Sequence, residues 1–164
     1  MTSILVALAV VYALMLAETR RSLANERVLR AAGAVEPPDD VYRLMQWSYP
    51  AAFLVMAVAG AAGGARPLGV AGLVLFLLAK ALKYWAISTL GTRWCFRVLV
   101  PPGSSRTLDG PYRWFPHPNY NAVAGELAGF GVMVHAGWVG LAATLWFILL
   151  MWRRVQIEER ALSR

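Results

Sequence analysis

Long apolar runs alternate with polar stretches along the chain, and the spacing predicts about five membrane-spanning helices. The first run covers about Thr2 to Ala17 and stops at Glu18-Thr19-Arg20-Arg21. That stop reads as the flank of a membrane span rather than a cleaved signal peptide, because Met1-Thr2-Ser3 offers no basic n-region. A polar stretch from Glu18 to about Gln46 follows and contains a predicted loop, "AVEPPDD". The second span is about Ser48 to Gly64, and Ala65-Arg66-Pro67 turns it into a third at about Leu68 to Leu90. A second polar stretch, Gly91 to Asn119, holds Pro101, Pro102 and Pro111. The fourth span is about Tyr120 to His135, and Ala136-Gly137 turns it into a fifth, about Trp138 to Trp152. The tail "RRVQIEERALSR" is polar. Sixteen helical residues reach only ~24 Å, so the shortest spans fall under the ~30 Å hydrocarbon core and need partners within a bundle.

Composition fits lipid as the solvent. Hydrophobic residues make up 59% of the 164 and charged residues 15%, against about 45–50% and about 25% in soluble domains. One all-α domain, residues 1–164, is expected. The net charge of +7 orients the bundle rather than indicating nucleic acid, since the basic residues lie between the apolar runs. Arg20, Arg21, Arg27, Arg30 and Arg43 occupy the first polar stretch, Arg93, Arg97, Arg106 and Arg113 the second, and Arg153, Arg154, Arg160 and Arg164 the tail. Only Arg66 falls in a turn on the opposite side. The positive-inside rule makes the basic face cytoplasmic, with the N-terminus outside and the C-terminus inside. "FPHPNY" and "IEER" are therefore expected on one side. The single cysteine, Cys95, allows no internal disulfide.

Two segments carry candidate chemistry. Phe115 and His117 each precede a proline, which holds both in extended geometry. Asn119 is the predicted N-cap of the fourth span, which sets His117 just ahead of a helix N-terminus, where amide donors and the dipole suit an anionic group. An ordinary interfacial histidine is the plain alternative. Glu158 and Glu159 follow the fifth span, where paired carboxylates oppose the helix dipole and call for an offsetting partner. Arg154, one turn earlier, could serve, and so could a cationic or polyhydroxylated ligand.

Glu126 lies two turns into the fourth span, where a carboxylate faces a cavity or a partner. It is on roughly the face of Asn119 and Tyr120. A site-lining role is expected, with pairing to Lys80, Lys83 or backbone as the alternative. The two lysines are expected to snorkel to the interface, and His135 to be interfacial. Trp94 and Trp114 could line a site. His117, His135 and Cys95 lack metal-ligand spacing, so no metal site is expected. No GxGxxG, Walker or nucleophile-elbow pattern occurs.

The segments "GPYRWFPHPNYNAV" and, about forty residues on, "RRVQIEERAL" resemble the isoprenylcysteine carboxyl methyltransferase family. That pattern is G-P-Y-R-x-x-R-H-P-x-Y, a helical hairpin, then R-x-x-x-E-E-x-x-L. Here it falls on Gly110, Pro111, Tyr112, Arg113, His117, Pro118 and Tyr120, then Arg154, Glu158, Glu159 and Leu162. "LGTRWCFRVLVPPGSSRTLDGPYR" and "RRSLANERVLRAAGAVE" are similar to it as well. "LGTRW", "GAVE" and Glu126 resemble a bacterial branch whose members look like partners of type III polyketide synthases and methylate alkylresorcinols or alkylpyrones at oxygen.

The resemblance implies S-adenosylmethionine as cofactor, bound by about residues 91–164 through Tyr112, His117, Asn119, Tyr120, Arg154, Glu158 and Glu159. Carboxylates suit its ribose hydroxyls and ammonium group, and aromatic faces suit its sulfonium. The acceptor is expected to be lipophilic, prenylcysteine-like or phenolic, entering from membrane lipid. A phenol would benefit from a base, for which Glu126 is the candidate. Pro116 replaces the family arginine before the histidine. Any contact of that arginine would pass to a neighbour such as Arg113, counted with Glu126 among candidate catalytic groups. Asn121 stands where a small residue is frequent, and Asp39-Asp40-Val41 where the branch has a histidine. Phospholipid-type methyltransferases, sterol-reductase-like enzymes using a nicotinamide cofactor, and a non-catalytic membrane subunit are the competing classes.

Overall fold

The structure, a computed structural model, describes residues 1–37, 41–64, 66–103 and 107–162, with only the backbone at 160–162. Asp39, Asp40, Ala65, Arg106, Arg164 and the side chains of Arg160 and Leu162 lie outside the described residues. The described residues form five α-helices: α1 (Thr2–Ala31), α2 (Tyr42–Ala62), α3 (Val70–Leu90), α4 (Pro118–Met133) and α5 (Gly137–Leu162). Short 3-10 turns cover Gly91–Arg93 and Gly110–Arg113. Among the described residues no strand forms beyond one isolated antiparallel bridge, Val35 to Val100.

Among the described residues, four helices are long and apolar enough to cross a membrane: Thr2–Ala31, Tyr42–Ala62, Val70–Arg93 and Gly137–Glu159. In each, at most 39% of the most apolar window is buried inside the protein. Leu5, Val6, Leu54, Val55, Leu77, Leu78, Leu145 and Leu149 all face outward. An apolar surface of that extent calls for lipid. The remaining helix, α4, has 16 residues, about 24 Å, and is shorter than the hydrocarbon core is thick. It buries itself against its neighbours instead.

Small residues permit that burial. A methyl group at Gly72 would lie 2.1 Å from the Met133 backbone nitrogen, and one at Gly129 would lie 2.6 Å from that of Phe76. The backbones of α3 and α4 thus approach closely in antiparallel register, as small residues allow in membrane bundles. The core between the helices is aromatic: Phe53 meets Tyr49 edge-on at 5.1 Å and Phe130 at 5.0 Å. A turn in which His135 and Gly137 take positive φ, 57° and 55°, reverses α4 into α5. The two helices pack as the expected hairpin. His135 is exposed, with Nε2 3.0 Å from the Pro67 carbonyl oxygen.

Two polar stretches prove to be helix. α1 continues through Glu18 to Ala31, and α5 continues through "RRVQIEERAL". In α1 four polar residues, at positions 18, 22, 25 and 26, are buried on one face. They receive the segment after α3. Asn25 Nδ2 donates to the carbonyls of Trp94 at 2.6 Å and Gly91 at 3.1 Å, and the Phe96 N–H donates to Ser22 Oγ at 2.8 Å.

The expected snorkelling of Lys80 and Lys83 is overturned. They are 5% and 1% exposed, because opposite charges await them inside. Lys80 lies 2.8 Å from Glu18 and 3.1 Å from Glu126; Lys83 lies 2.6 Å and 3.4 Å from the same carboxylates. The Tyr49 hydroxyl also donates to Glu126. Two lysines thus balance two glutamates at the junction of α1, α3 and α4, which is how buried charge persists in an apolar medium.

Candidate functional site

At the end of the bundle where α3 finishes and α4 begins, a cavity of about 170 Å³ opens among the 93–101 segment, the start of α4 and the end of α5. Its entry is shaped by the prolines. Pro118 occupies the first position of α4, where its fixed φ and missing N–H are tolerated. The N-cap is consequently His117 and not the expected Asn119, which sits inside the first turn. His117 has φ −134° and ψ 66°, outside the helical region as a residue before proline should be, though not in the fully extended geometry expected of it. Its ring stacks on Tyr120 at 5.5 Å with 24° between planes.

The helical tail delivers the second half. The Tyr120 hydroxyl donates to Glu158 Oε2 at 3.0 Å and accepts from Arg154 Nε at 3.0 Å. His117 Nδ1 lies 3.9 Å from Glu158 Oε2, and its Nε2 lies 3.4 Å from Glu159 Oε1. Arg154 is only 5% exposed. Besides Tyr120 it donates to the Phe96 carbonyl and reaches Met45 Sδ at 3.8 Å, so it ties α2, α4, α5 and the loop after α3 together. Tyr112 also lines the cavity, and burial followed by the nearby Glu158 carboxylate pushes its phenol well above the ordinary range.

The roof is the 94–101 segment. Arg97 fixes it, lying 2.6 Å from Glu36, 3.4 Å from Glu26 and 4.4 Å over the Tyr42 ring. Arg30 holds the other Glu36 oxygen at 2.6 Å. Burial alone would raise the Glu36 pKa, but the two arginines hold it below the ordinary carboxylate value. Cys95 donates to the Arg97 carbonyl at 3.0 Å, and burial pushes its thiol up to about 11.

Six of the seven expected cofactor residues, Tyr112, His117, Asn119, Tyr120, Arg154 and Glu158, therefore line one cavity, and Glu159 stands at its rim beside His117. The two candidate catalytic residues do not join them. Glu126 is held in the lysine cluster, and Arg113 is exposed and absent from the lining. The arginines that line the cavity together with Pro116 are Arg93, Arg97 and Arg154. Trp94 lines the cavity, whereas Trp114 lies outside on Trp85 at 5.6 Å. Among the described residues no His, Cys, Asp or Glu group could hold a metal ion.

Residues 72–164 match the sequence model of the isoprenylcysteine carboxyl methyltransferase (ICMT) family. The chain is also similar to Uncharacterized protein YpbQ of Bacillus subtilis (strain 168), 27% identical over 143 residues that cover 85% of this chain and 84% of that protein. No solved structure matches it. The matched region starts in α3 and contains the cavity entry, the hairpin and the whole 94–101 roof.

Proposed function

The chain belongs to the isoprenylcysteine carboxyl methyltransferase family, and from that premise we propose that it is an integral membrane enzyme that methylates an oxygen of a lipophilic acceptor from S-adenosylmethionine. The observation that carries this reading is the meeting of His117, Tyr120, Arg154 and Glu158 across the α4–α5 hairpin, in one cavity.

The donor set suits the cofactor. Glu158, one-third exposed, and the more open Glu159 can accept from ribose hydroxyls or an ammonium group. The stacked faces of His117 and Tyr120 attract a sulfonium. S-adenosylmethionine supplies an activated methyl group, whose transfer forms a carbon–oxygen bond as the carbon–sulfur bond breaks. The chain's own part is alignment and water exclusion, which account for much of the acceleration in such a transfer. Arg154 fixes the Tyr120 hydroxyl and the roof together, and the Arg97 clamp holds the roof down over the cavity. A carboxylate acceptor needs no base. A phenol would find the buried Glu126 already engaged by two lysines and Tyr49, which favours a holding role for that residue over proton abstraction.

For topology we propose five crossings, with α4 as a short fifth shielded by α3 and α5, the N-terminus outside and the cavity on the cytoplasmic side. The concentration of arginines at the cavity end supports this orientation. The test is a labelled-methyl assay with purified protein in lipid, comparing a prenylcysteine analogue with an alkylresorcinol. Label in one of them, lost on Glu158→Ala, is expected. No label in either acceptor, nor in the lipid, from folded protein would overturn the reading.

A further inference from the structure

We propose that Trp94 and Asn119 read the edge of the cofactor's adenine ring, the indole N–H donating to a ring nitrogen and the amide oxygen accepting from the exocyclic amine. The inference rests on the S-adenosylmethionine reading above and adds the residues that would distinguish adenine from another base. It starts from unmet polar atoms. Among the described residues, four buried side-chain oxygens or nitrogens have no hydrogen-bond partner: Glu18 Oε2, Glu126 Oε1, Trp94 Nε1 and Asn119 Oδ1. The two glutamate oxygens face Lys83 at 2.6 and 3.4 Å and are served by its charge. The other two have no such compensation.

Both of those belong to side chains that line the same cavity. An indole nitrogen can only donate, and an amide oxygen can only accept. Native proteins rarely leave such groups buried and unmet without a reason. Trp94 is 2% exposed, and its contacts position it without using Nε1: its carbonyl accepts from Asn25, and its ring packs edge-on against Phe96 at 5.2 Å. Asn119 enters from the first turn of α4, fixed by Pro118. The charged amino-acid end of the cofactor has charged partners available, since Arg93 and Glu158 line the same cavity. A neutral donor and a neutral acceptor on side chains lining one cavity fit instead a neutral edge of opposite pattern. Adenine presents one, a ring-nitrogen acceptor next to the N6 amine, and asparagine is a recurrent partner of that edge.

The experiment measures binding of S-adenosylhomocysteine and S-inosylhomocysteine to detergent-solubilised protein by calorimetry. The second ligand carries an oxygen in place of the N6 amine. A site built to meet a hydrogen-bonding group rejects the analogue that lacks it, so the wild type should prefer the adenine ligand by about tenfold or more. Asn119→Ala should bring the two affinities together. Trp94→Phe, which removes only the N–H donor and keeps an aromatic ring, should weaken the adenine ligand by about tenfold at unchanged melting temperature. Equal wild-type affinity for the two ligands overturns this inference and leaves the methyltransferase reading standing. Binding of neither ligand by folded protein overturns both. The wild-type comparison decides even if a variant fails to fold.

Discussion

Replacing Glu126 by glutamine tests whether the buried charge cluster is structural. The side chain keeps its shape but loses its charge, so Lys80 and Lys83 are left with Glu18 alone, at 2.8 and 2.6 Å. One positive charge in a fully buried setting is then uncompensated. Breaking a buried pair from one side costs about 3–5 kcal/mol. The lower end, about 3 kcal/mol, applies here because Glu18 still touches both lysines. On the scale of soluble domains of this size that corresponds to about 6–12 °C in melting temperature. The assay is thermal unfolding in detergent, read alongside methyl transfer and cofactor affinity. Adding Lys80→Met to Glu126→Gln removes the surplus charge and leaves the short Lys83–Glu18 pair intact. That double variant should recover about half of the lost stability, giving a coupling well above the ~0.5 kcal/mol expected of independent sites. An unchanged melting temperature with abolished turnover would refute the reasoning, since it would mean the carboxylate acts on the reacting groups.

Three further outcomes follow from the site and its supports. The Glu36 pKa is depressed by Arg30 and Arg97, so its contribution to holding the roof is complete above its ordinary value of 4.5 and is lost as pH falls below it. Hydrogen-exchange protection at 94–100, taken relative to the intrinsic exchange rate at each pH, should fall in that acid range and stay constant between neutral and mildly alkaline pH. Gly72→Ala places a methyl 2.1 Å from the Met133 nitrogen and should destabilise α3–α4 packing by about 1–3 kcal/mol, toward the upper end, seen as a lower melting temperature. Arg154→Lys keeps the charge but not the planar fork. It cannot hold Tyr120 and the Phe96 carbonyl together, so cofactor affinity should fall while the helix content seen by circular dichroism stays unchanged.

The four long apolar helices were legible because lipid-facing helices announce themselves as continuous apolar runs, and the α4–α5 hairpin followed from a single glycine turn. What misled was treating polarity as the end of a helix. The α1 residues Glu18, Ser22, Asn25 and Glu26 are polar because they receive the roof segment and the two lysines. Their spacing of about one turn was the available sign. The burial of Lys80 and Lys83 depended on Glu18, 62 residues from Lys80 in the chain, and no local pattern reports such a partner. Similarly, Asn119 looked like an N-cap by residue type, but Pro118 claims the first helical position and shifts the cap to His117. The cofactor half was readable as motif residues, and Trp94 as a candidate lining residue, whereas the Arg97 clamp emerges only once the chain folds the second polar stretch back onto α1.

The central claim is that the hairpin cavity is the cofactor site. Calorimetry of S-adenosylhomocysteine with the detergent-solubilised protein tests it most directly, with Glu158→Ala as the comparison. One saturable site is expected, weakened at least about tenfold by the substitution, at an unchanged melting temperature. No heat from folded wild type, or equal affinity in the variant, would contradict it.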